Sequence, residues 1–136
     1  MIFWLSLAIA AFVGAHGLVY LIAPFTPMAP RISKGWRGSS AALGTHVPRG
    51  AIESLTSALW VVAGALLLIS AAAIVFAAGA PWLWRPLAIG SSLVGVASFA
   101  VFYDGQSSLF VNQGGVGMLI SLAIAAGAAS FPAAFP

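Results

Sequence analysis

Four side chains in this sequence belong to the types that ligate metals or move protons: His16, His46, Glu53 and Asp104. Zinc, manganese and non-haem iron take such imidazole and carboxylate ligands, and two histidines can hold a haem axially. Compact metal signatures place their ligands within a few residues on one helix face, and no pair here has that spacing. The sequence therefore assigns no metal ligand and no catalytic residue. The absence of cysteine removes thiolate ligands, disulfides and iron–sulfur clusters. Gly114-Gly115 and the other glycine pairs form no phosphate loop, and no serine sits in a G-x-S-x-G elbow.

What these residues can do depends on the elements that hold them. Of 136 residues, 62% are hydrophobic and 5% charged, whereas a soluble domain has about a quarter of its positions as Asp, Glu, Lys or Arg. So few charges cannot cover a water-soluble surface, which excludes a soluble enzyme. The formal charge of +3 comes from five cations against two anions. These cations flank apolar runs, at the level of lipid headgroups, so a bilayer and not nucleic acid is the expected partner.

The apolar runs predict an all-α fold, an integral membrane bundle of four transmembrane helices in one domain, with spans at about 2–23, 52–78, 86–103 and 114–131. The first run lacks the basic start and short apolar region of a secretory signal and is expected to stay in the mature chain. Pro24, Pro27 and Pro30 predict an extended polyproline exit into a long basic loop, 24–51. Glu53 is expected in the first turn of the second span, and Trp82 and Trp84 at a membrane interface. Pro86 is expected in the first turn of the third span and Asp104-Gly105 in a turn. With Arg31, Lys34, Arg37 and Arg49 in the first loop and only Arg85 in the second, charge bias places loops one and three in the cytoplasm and both termini outside, in a multi-pass cell-membrane protein.

Antiparallel spans bring the few polar groups to one end. His16, His46, Glu53, Asp104, Asn112 and Gln113 all fall toward the loop-one face, and Trp4, Trp82, Trp84 and Arg85 toward the other. A site, if built, belongs on the loop-one side. His16 is an ionisable group inside a span, flanked by Gly14 and Gly17, with Tyr20 one turn away as a hydrogen-bond partner. Trp60 follows Glu53, Thr56 and Ser57 on nearly one helix face, a strip suited to a small-molecule or lipid pocket. His16, Trp60 and Glu53 are therefore the candidate cofactor-binding residues, with His46, Asp104, Asn112 and Gln113 as a polar cluster around them. Gly117, Ser121, Ala125 and Ala129 form a small-residue seam on the fourth span, and Ser91 with Gly95 a shorter one on the third.

The runs GAHGLVYLI, RISKGWRGSSAALG and SALWVVAGALLLISAA, followed by the WLW pair, resemble a group of small uncharacterised bacterial four-span membrane proteins similar to the DoxX-like class. The resemblance covers most of the chain and implies a four-helix membrane bundle. DoxX-like proteins are associated with quinone-linked or thiol-linked redox complexes. This chain has no cysteine for a thiol role, and no catalytic motif carries over residue by residue.

Three functions compete. The first is a non-enzymatic accessory protein that binds lipid or a membrane-protein partner, or a second copy of itself. It would use its small-residue seams and a basic loop of Arg31, Lys34, Trp36, Arg37 and Arg49 against anionic headgroups. The second is a cofactor-binding subunit of a membrane redox complex, holding a quinone, haem or metal near His16 and Trp60. The third is a small-solute transporter, which four short helices could form only as an oligomer. The sequence ranks them in that order.

Overall fold

The computed structural model describes residues 2–25, 39–76, 81–111 and 113–130. Arg31, Lys34, Trp36, Arg37 and Asn112 lie outside them, as do Pro27 and Pro30. The described residues form four α-helices: α1 (Ile2–Ile22), α2 (Arg49–Phe76), α3 (Pro81–Phe102) and α4 (Gly115–Ser130). The fold is the all-α bundle expected. The first three helices are long and apolar enough to cross a membrane. The 16 residues of α4 extend only about 24 Å at 1.5 Å per residue, short of a hydrocarbon core of about 30 Å.

The interior and the surface exchange their usual chemistry. Ser70, Ser91, Ser92, Ser98 and Ser121 are fully buried, while Phe3, Phe12, Leu18, Ile69, Phe76 and Leu119 are exposed. Lipid tails solvate large apolar side chains as well as a protein core does, so helices in a bilayer associate through small and polar residues instead. Three of these serines donate to backbone carbonyls, while the Ser92 hydroxyl has no hydrogen-bond partner among the described residues. Ser70 donates to the Trp84 carbonyl at 3.0 Å, Ser91 to that of Ala88 at 3.0 Å and Ser98 to that of Gly95 at 2.6 Å.

The helices pack in chain order, α1 on α2, α2 on α3 and α3 on α4, with little backbone contact between α1 and α4. At the α1–α2 crossing backbone approaches backbone. A Cβ at Gly64 would lie 2.7 Å from the Gly17 carbonyl oxygen, and one at Gly17 would lie 3.0 Å from that of Gly64. Gly14 faces Ala71 one turn along. The glycines beside His16 thus admit α2.

Several boundaries differ from the sequence reading. Pro24 sits in a short 3-10 turn, Ala23–Phe25, and not in an extended exit. Helix α2 begins at Arg49, so Glu53 lies one turn inside it, where its carboxylate accepts from Arg49 Nε at 2.9 Å on the exposed surface. That pairing, and not the helix dipole at the first turn, is what holds Glu53. Helix α3 begins at Pro81, which puts Pro86 in its interior. Trp82 is 76% exposed as an interface residue would be, but Trp84 is 2% exposed and belongs to the core. On α4 the buried stripe runs through Gly115, Ser121, Ile124 and Ala128, while Ala129 faces outward; a helix at 3.6 residues per turn drifts off a strict four-residue spacing.

Candidate functional site

The loop-one end is assembled from two loops that meet. The Ala41 amide donates to the Tyr103 carbonyl at 2.7 Å. Beside this contact Asp104 organises the turn between α3 and α4. Its carboxylate accepts from the Gln106 amide at 3.1 Å, from Gln106 Nε2 at 2.6 Å and from Gln113 Nε2 at 3.0 Å, while its own amide donates to Gln113 Oε1 at 3.3 Å. Gln113 is 1% exposed. A buried amide tied at both ends to one aspartate acts as a strut, and it joins two members of the polar cluster, Asp104 and Gln113. Gly114 adopts φ +92°, which lets the chain turn into α4, and a Cβ on Gly115 would run into the Phe110 ring. That ring joins Phe99 and Tyr103, which stack at 5.0 Å, in an aromatic cluster.

Below this cluster His16 and Tyr20 reach across from α1 to α4. His16 Nε2 lies 3.1 Å from Ser121 Oγ and the Tyr20 hydroxyl lies 3.0 Å from the same oxygen. The imidazole meets the phenol ring edge-on at 4.8 Å. All three residues are buried. Gly95 of α3 makes the space, since a Cβ there would fall 2.6 Å from the Tyr20 hydroxyl and 2.9 Å from Ser121 Oγ. The partner of His16 is therefore Ser121 on another helix, with Tyr20 beside it.

This bridge stands between two spaces along the α1–α4 seam. On the loop-one side a cavity of ≈ 190 Å³ is lined by His16, Tyr20, Trp60, Phe99 and Gln113, among others. On the other side a cavity of ≈ 330 Å³ is lined by Phe12, Val13, Trp84, Ala88, Ile124 and Ala128, among others, almost wholly apolar. The first contains polar and aromatic groups, and none of its lining residues is Asp, Glu, Lys or Arg.

The candidate residues divide accordingly. His16 and Trp60 line one cavity, and Gln113 joins them from the polar cluster. Glu53 does not: near the start of α2 it is exposed and paired with Arg49, whereas Thr56 and Trp60 farther along the same face are buried or half-buried. His46 is exposed on the first loop. Among the described residues no three of His, Asp and Glu come close enough to hold a metal ion. Tyr20 entered the sequence reading only as a neighbour of His16, and Ser121 and Gly95 only as packing residues. Polar positions inside two spans were the available signal, but nothing in one sequence pairs residue 16 with residue 121. Comparison with known proteins found no match to a family model, to a curated protein or to a solved structure.

Proposed function

We propose that this chain is a non-enzymatic membrane protein that binds a lipid in the seam between α1 and α4, as an accessory subunit of the bilayer in which it sits. One observation carries the reading: α1 and α4 are joined by the His16–Ser121–Tyr20 bridge and not by close backbone packing, and an apolar cavity of ≈ 330 Å³ lies between them. In a bilayer such a space is filled by hydrocarbon or closed by repacking, because its walls lose contacts when empty. The basic loop was the expected lipid contact, and Arg49 of that set is engaged with Glu53; the seam supports the lipid reading independently.

Native mass spectrometry of protein released from a mild detergent tests this. Wild type is expected to retain a lipid-mass adduct. Gly127→Leu, which adds a side chain to a lining position with open space around it, is expected to lose it. A wild-type spectrum without adducts, indistinguishable from that of the variant, would overturn the proposal.

The alternative reading, a cofactor subunit of a redox complex, is favoured by the aromatic and hydrogen-bonding walls around His16 and Trp60, which suit a flat polar ring such as a quinone head. An adduct that is redox-active or absorbs visible light, lost in His16→Ala, would select it. For orientation we propose loops one and three in the cytoplasm. A cysteine introduced at Ser39 is then expected to resist an impermeant thiol reagent in intact cells, and labelling from outside would reverse the topology.

A further inference from the structure

Resting on the lipid reading above, we propose that the ≈ 190 Å³ cavity is the head-group site, and that it takes an uncharged hydroxyl head on a long-chain amphiphile. The hydrogen-bonding groups around it are mostly committed. Ser98 donates to the Gly95 carbonyl, both ends of the Gln113 amide are tied to Asp104, and Tyr20 and Ser121 bond to each other. Two groups are not: His16, 7% exposed, is held through Nε2 by Ser121 and has no bond at its second nitrogen among the described residues, and the Trp60 indole N–H likewise has none there.

Those two groups define the ligand, the Trp60 N–H calling for an acceptor. The Tyr20–Ser121–His16 chain can be polarised in either direction. When Ser121 donates to Nε2, Nδ1 carries the proton and seeks an acceptor; when Nε2 donates to Ser121, Nδ1 is itself an acceptor. A hydroxyl answers both states, since it donates and accepts. Formal charge is disfavoured here for two reasons. The lining residues include no Asp, Glu, Lys or Arg, and His16 lies six residues before the end of α1, about 9 Å into the span at 1.5 Å per residue, where an unpaired charge is costly.

The mouth of the cavity opens toward lipid. Val19, Val111 and Val116 line it and are also exposed, so a head group enters sideways between α1 and α4. Its chain then follows the same seam toward the apolar cavity beyond the bridge.

The test is retention of three probes of equal chain length by native mass spectrometry: 1-hexadecanol, hexadecanoate at pH 9 and hexadecyltrimethylammonium. Wild type is expected to hold one hexadecanol at least about tenfold more tightly than either ion. Gly117→Leu, at a position where an added Cβ meets nothing nearer than the Tyr20 hydroxyl at 3.9 Å, is expected to weaken hexadecanol about tenfold. His16→Phe should do the same and His16→Gln should restore part of the loss. Gly117→Leu keeps the test decisive if His16→Phe fails to fold. Equal retention of the three probes, or hexadecanol unmoved by Gly117→Leu, overturns the head-group assignment while the lipid adduct lost in Gly127→Leu still stands. No probe and no lipid on wild type overturns both.

Discussion

Helix α1 has two kinds of neighbour. Against α2 it offers Gly14 and Gly17, and backbone meets backbone closely enough that a Cβ at Gly64 would sit 2.7 Å from a carbonyl oxygen. Against α4 it offers His16 and Tyr20, and the helices are held apart at the length of side chains that meet on one serine hydroxyl. Small residues close a helix pair in lipid because dispersion and weak backbone contacts need proximity; long polar residues bridge a pair and leave space on either side. One interface is a structural joint; the other is the one to which the lipid proposal assigns a ligand.

The largest effect should come from breaking the joint. Gly64→Leu drives a side chain into the Gly17 backbone and Leu21, and overpacking of this kind costs about 3 kcal/mol. Unfolding in detergent followed by circular dichroism should show it, and unchanged stability would mean that α1 and α2 do not cross at these glycines.

Removing the bridge should cost less. Ser121→Ala leaves His16 and Tyr20 buried without their shared partner, a loss of about 1–2 kcal/mol. A double-mutant cycle with Tyr20→Phe should be non-additive, because both variants delete the same hydrogen bond. Additive losses would show that the two side chains act separately.

Smaller still is the change on filling the seam. Gly127→Leu meets nothing within 4 Å at its Cβ, so stability should move by no more than about 0.5 kcal/mol while bound lipid is lost. That contrast with Gly64→Leu separates ligand space from packing. Least of all, Arg49→Gln breaks an ion pair whose side chains are 58% and 46% exposed, and should alter stability by less than about 0.5 kcal/mol.

Much of the fold was legible in the sequence. Long uncharged runs must become helices in a bilayer, since every backbone amide needs a partner there, and the alternating topology put Asp104 and Gln113 beside the first loop. Helix ends were less legible. Trp84 read as an interface residue because of its neighbour Trp82, yet a helix that starts at Pro81 turns one of the two outward and the other into the core. Glu53 and Trp60 share a face of α2, but Glu53 lies near the start of that helix, where its carboxylate pairs with Arg49 on the exposed surface.

The sequence by itself determined that this is an all-α membrane bundle with its polar groups gathered at one end, because composition and run length act locally and leave a chain little choice. Only the tertiary structure decided which helices close and which stay apart, and so joined His16 and Tyr20 to Ser121 more than 100 residues away. That pairing depends on how far each helix rotates about its axis, which follows from glycine contacts such as Gly17 with Gly64 and from the room Gly95 leaves. Rotation is a property of all four helices packed together, and no single run of residues specifies it.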